Sequence, residues 1–74
     1  MSNSFRICIS SPPDREKLVA EIFFGSEQWA EINQEQTELV VEFYARESGD
    51  PWVLPYENAI AALQEARRKL LDGG

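Results

Sequence analysis

Histidine is missing from this chain altogether. That removes the side chain most used for proton transfer near neutral pH, and the commonest metal ligand. A single cysteine, Cys8, leaves no partner for an intrachain disulfide, whereas small secreted domains usually depend on several. The glycines are scattered, and none sits in a phosphate-cradling loop. Long apolar runs are also absent. No segment approaches the ~20 residues of a membrane helix, and the start, "MSNSFRICIS", lacks the apolar stretch of a signal peptide. A cytoplasmic location of the bacterial type is therefore expected. Lys and Arg total only 7 against 13 Asp and Glu, a net charge of −6. Nucleic acids and anionic membranes both require clustered basic residues, so neither is an expected partner. Acidity favours a basic protein partner, and it serves solubility equally well.

What is present is globular. The 74 residues are 43% hydrophobic and 11% aromatic, richer in both than disordered chains. The length fits one domain, residues 1–74, with a modest core. "FRICIS" (5–10) alternates apolar and polar residues, the period of a half-buried strand. Cys8, between Ile7 and Ile9, reads as a small residue on that strand, since a reactive thiol needs more basic company than Arg6. "SSPPDRE" (10–16) is a turn, or else a short helical turn capped by Ser11. Strands are expected again at 17–24, 28–34 and 38–46. "ESGDP" opens a loop over 47–55. "YENAIAALQEARRKLL" (56–71) is a helix. Tyr56, Ile60, Leu63 and Leu70 recur at helical spacing, the alanines favour helix, and Gly73 stops it. The Gly73-Gly74 ending follows a helix rather than a strand, unlike the tails of ubiquitin-like modifiers, and reads as a frayed end.

Strands followed by one helix imply an α+β fold: an antiparallel four-stranded β-sheet, about 5–46, with the C-terminal α-helix packed on one face. The loop after Phe24 decides the register. A two-residue Gly25-Ser26 loop sets Ile22 opposite Trp29 and mixes apolar with polar positions. A three-residue loop including Glu27 sets Ile22 opposite Ala30, Ala20 opposite Ile32, Phe23 opposite Trp29, and Glu21 opposite Glu31. The latter keeps the small apolar residues together and is preferred. Ile22, Ile32, Val41 and Leu63 should then be buried. Val19, Glu21, Phe23, Trp29, Glu31, Val40, Glu42 and Tyr44 should share the other face, left open for want of a second helix.

Clustered aromatics mark interaction sites, and Tyr and Trp are rich at binding hot spots. Glu21, Phe23, Trp29, Glu31, Glu42 and Tyr44 are thus the candidate partner-binding residues, and the outer face of the helix, with Glu57, Gln64 and Arg68, is the second choice. Glutamates opposed across strands repel, which points to a cationic group of the partner between Glu21 and Glu31, and to a free domain that does not suffer from Glu31→Gln. Catalysis is not expected. Paired carboxylates can act as acid and base, but an open sheet face lacks the needed concavity. No catalytic or metal-binding residue and no cofactor is assigned.

The run from Leu18 to Leu71 resembles the small immunity proteins carried beside bacterial polymorphic toxins of the Rhs and contact-dependent type. The resemblance lies in Ala-Glu-Ile at 20–22, "WAEI" at 29–32, "VEFY" at 41–44, "PW" at 51–52, and the closing helix with "AL" and "EARRKL". It implies a cytoplasmic protein that binds and neutralises one cognate toxin, stoichiometrically and without chemistry. A homodimeric structural or adaptor domain using the same sheet face is the alternative.

Overall fold

The computed structural model describes residues 5–73; Met1–Ser4 and Gly74, the ends of the expected domain, lie outside the described residues. Strands β1 (Phe5–Ser10), β2 (Val19–Phe24), β3 (Glu27–Asn33) and β4 (Val40–Phe43) precede helix α1 (Tyr56–Leu71). The strands form one antiparallel sheet in the order β1-β2-β3-β4. The α+β architecture expected from the alternation is the one found. Among the described residues, no helix is long and apolar enough to cross a membrane.

The β2–β3 hairpin combines features of both registers. Phe24 pairs with Glu27, so the loop is the two-residue Gly25-Ser26 turn, yet Ile22 pairs with Ala30 and Glu21 with Glu31. A bulge reconciles them. Phe23 pairs with Gln28, and Trp29 is the extra residue before Ala30. Gly25 has φ 65 and Ser26 keeps a negative φ, the pattern of a two-residue turn with glycine at its first central position, whose twist matches the strands. The short turn is thus kept and the apolar register restored, at the cost of one unpaired residue.

That residue is Trp29, and the bulge corrects its expected exposure. Adjacent residues at a bulge no longer alternate cleanly between faces, so Trp29 joins Ala30 on the core side. It is 7% exposed and belongs to one cluster with Ala20, Ile22, Ala30, Ile32, Ala62, Ala66 and Leu70. Its ring lies 5.3 Å from those of both Phe5 and Phe43, and Phe5 in turn stands 4.8 Å from Phe24.

Helix α1 starts directly after Pro55, whose carbonyl accepts from the Ala59 N–H at 2.9 Å. Glu57 lies in its first turn and Arg68 and Lys69 in its last, each sign suited to its end of the helix dipole. The Asp72 N–H donates to Arg68 and the Gly73 N–H to Leu70, and Gly73 takes φ 90 to end the helix. Ala62, Ala66 and Leu70 are buried, and the two small alanines let α1 lie close over β1 and β2, above the equally small Ala20 and Ala30. Tyr56 and Ile60, on the expected apolar stripe, stay exposed. Ile22 and Ile32 are buried, as the alternation requires, whereas Leu63, expected to be buried, is only half-buried. Val41, however, is 42% exposed and Phe43 56%, because α1 stops short of β4.

Trp29 bridges the part of the sheet that α1 does not reach. Trp29→Ala is expected to cost about 3–5 kcal/mol, the range for truncating a buried Trp. In a domain this small that approaches the whole stability, so urea denaturation of the variant should show little or no folded baseline.

Candidate functional site

The register lines three glutamates in one row across the sheet. Glu21 pairs with Glu31, and Glu31 with Glu42, while Cys8 on β1 ends the row opposite Glu21. In the flanking row, Arg6 pairs with Phe23 and its guanidinium stands 4.4 Å from the Phe23 ring centre. Such stacking offsets part of the exposure of a half-buried aromatic.

The expectation that this face is left open is corrected: the β1–β2 connection crosses it. The turn at Pro12, closed by a 3.1 Å bond from the Arg15 N–H to the Pro12 carbonyl, brings Arg15 over β3 and β4. One guanidinium nitrogen stands 2.9 Å from Glu31 and 2.8 Å from Glu42. The cation between two opposed glutamates thus comes from the chain itself, and it sits between Glu31 and Glu42 rather than between Glu21 and Glu31. The hydrogen bond to Glu42 raises the Arg15 guanidinium further above its ordinary range.

The cluster extends to neutral donors. The Asn33 amide donates to Glu42 at 2.9 Å and to Glu31 at 3.3 Å, and the Tyr44 hydroxyl donates to Glu31 at 3.1 Å. Glu31, only 5% exposed, therefore has Arg15, Asn33 and Tyr44 around it. A buried carboxylate is tolerable when it is paired and hydrogen-bonded in this way. Burial first, then the Glu31 hydrogen bond, pushes the Tyr44 phenol from 10.0 up to about 12. Beyond Tyr44 the chain is anchored by the Trp52 indole N–H, which donates to the Tyr44 carbonyl at 2.7 Å, and by Arg46, which reaches Glu27 at 3.4 Å and stands 5.3 Å from the Trp52 ring centre.

The six candidate residues therefore divide. Glu31, Glu42 and Tyr44 meet in the Arg15 cluster. Trp29 is in the core. Phe23 is half-buried against Arg6. Glu21 is half-buried and, among the described residues, makes no ion pair or side-chain hydrogen bond. On the outer face of α1, Glu57 and Gln64 are exposed, while Arg68 is engaged by Glu65 and Asp72. Arg15 and Asn33 were not among the candidates. The signal for Arg15 was the need of opposed mid-strand carboxylates for a cation in a chain with few of them, and for Asn33 its position two residues from Glu31 on the same strand face. Compared with known proteins, the chain matches no family model, no curated protein and no solved structure.

With Glu31 enclosed in this way, Glu31→Gln should lower stability by about 1–3 kcal/mol, the scale of a lost charge-assisted hydrogen bond, in place of the unchanged stability expected from repulsion alone. Denaturant midpoints measure it, and a double-mutant cycle with Arg15→Met should show coupling between the two. The Tyr44 phenol has a second consequence. Its pKa is higher folded than unfolded, so its contribution to stability is complete below pH 10.0 and is lost as the pH rises through about 12. Stability measured over that range should fall more steeply for the wild type than for Tyr44→Phe, and the tyrosinate absorbance missing from the variant should have its midpoint near the upper value.

Proposed function

We propose that this chain is an immunity-type inhibitor that binds a cognate bacterial toxin domain in the cytoplasm and blocks it by occupancy, without chemistry. The observation that carries the reading is Glu21. Its carboxylate is half-buried, stands in line with Glu31 and Glu42, and makes no ion pair among the described residues, Arg6 nearby being turned to Cys8 and the Phe23 ring, in a chain of net charge −6. A lysine or arginine from a basic partner surface finds a position there that Arg15 leaves unfilled. The resemblance of the run from Leu18 to Leu71 to small immunity proteins supports the same reading. Stoichiometric binding also suits a face whose central carboxylates are already held by Arg15, Asn33 and Tyr44 and so are set for shape rather than for proton transfer.

The test pairs this chain with any toxin domain found encoded next to its own gene. Cells expressing the toxin should survive only when the chain is present. Association should slow as ionic strength rises and the Debye length shrinks from ~30 Å at low salt to ~8 Å. Glu21→Gln removes a like charge opposite Glu31 and should leave the free domain equally or slightly more stable, by a few tenths of a kcal/mol, while weakening the complex by about 1–3 kcal/mol. Opposite signs for stability and binding mark a residue kept for its partner. Salt-independent association together with undiminished binding by Glu21→Gln would remove the carboxylate row as the recognition element.

A further inference from the structure

We propose that the open edge of β4 takes up an extended segment of a bound protein as a fifth strand, one with apolar side chains two residues apart and a lysine or arginine between them. The proposal rests on the reading of this chain as a protein-binding module, but not on which protein it binds.

The backbone of β4 is prepared for such pairing. β4 ends the sheet. The Tyr44 N–H donates to the Trp29 carbonyl at 2.9 Å, and in an antiparallel ladder the direction of the peptide groups alternates. Those of Glu42 and Val40 therefore turn toward β3, and those of Val41 and Phe43 turn outward. β4 carries none of the lysine or proline that natural edges use to prevent pairing. The opposite edge differs, for α1 overhangs β1, and Glu65 and Lys69 line the space beside Phe5 and Ile7.

The side chains of this edge impose a pattern of their own. A residue placed opposite Val41 or Phe43 points to the same face as they do. That face holds an open groove of about 280 Å³ between β4 and α1, lined by Ile32, Leu39, Val41, Leu63, Gln64 and Arg67. Its walls are mostly apolar and its one charge, Arg67, is positive, so it takes apolar residues and turns basic ones away. A residue opposite Glu42 points to the other face. There it meets Glu42, 43% exposed although held by Arg15 and Asn33, in a row where three carboxylates, Glu42, Glu31 and Glu21, have the one Arg15 guanidinium among them. Basic residues are favoured at that position. Apolar into the groove and basic onto the carboxylates is the alternation a strand provides. A second copy of this chain is the poorer occupant, because its β4 brings Glu42, flanked by Glu38, and a further net charge of −6 to an already acidic edge.

Peptides serve as probes: one alternating valine with lysine, one alternating valine with glutamate, and one with the first composition rearranged into separate blocks. Each is titrated into the full, isotope-labelled chain, and amide hydrogen exchange is read residue by residue. The alternating valine–lysine peptide should slow exchange at Val41 and Phe43 by about tenfold or more, and the other two should not. Val41→Pro deletes an outward N–H, which an edge strand tolerates, and should abolish the effect. Should circular dichroism find that variant unfolded, Val41→Lys takes its place, with the same expected loss. Equal protection by the glutamate peptide, protection by none of the peptides, or protection that grows with protein concentration alone would each overturn the proposal, the last in favour of self-pairing. The two readings also separate in cells. Full protection from the toxin by Val41→Pro would overturn the edge and leave the inhibitor standing, whereas peptide capture at β4 by a chain that protects no cell would support the edge and remove the inhibitor.

Discussion

One helix has to cover a sheet wider than itself. Outer strands of a four-stranded sheet stand ~14 Å apart at the usual spacing of about 4.8 Å, and a helix with its side chains is ~10 Å across. Placed over β1 and β2 and reaching only the near side of β3, α1 leaves β4 without a roof. Most other features of the molecule answer that shortfall. Trp29, the largest side chain available, is turned into the gap by the bulge. Phe43 leans on it from the far side and remains half in water. The groove between β4 and α1 is what neither of them fills.

The opposite face meets the same shortage with charge instead of bulk. With no second helix among the described residues, the β1–β2 connection folds back and places a single guanidinium over β3 and β4. Three donors then surround Glu31, and a carboxylate can lie under the surface of a very small domain. Val19 and Asn33, neighbours on that face, are also fully or almost fully buried. A face that alternation alone marks as wet is therefore dry at one end and open at the other, and Glu21 lies toward the open part.

This division explains what the sequence disclosed and what it concealed. Helix α1 was legible to its ends, Tyr56 and Leu71, because its alanines, its end charges and Gly73 all act within a turn or two of one another. The strands were legible through their alternation, with ends drifting by up to three residues, most at β4, which stops at Phe43 rather than at 46. Pairing of Glu21 with Glu31 followed from keeping Ala20, Ile22, Ala30 and Ile32 on one face. Trp29 was misplaced because a bulge breaks the very period used to assign faces. Arg15 was missed because its partners lie 16 and 27 residues away in the chain, a distance no local pattern spans. Exposure of Val41 and Phe43 depends on where α1 comes to rest across the sheet, which no strand encodes.

The contact between Trp29 and Phe43 joins the most shielded indole of the chain to the most exposed phenyl ring of the sheet. Whatever settles against Phe43 also alters the surroundings of that indole. The molecule consequently carries its own optical gauge. Ultraviolet emission and near-ultraviolet dichroism report occupancy of the β4 side with no attached dye, Trp29 responding from beside Phe43 and Trp52 from its anchor on the Tyr44 carbonyl.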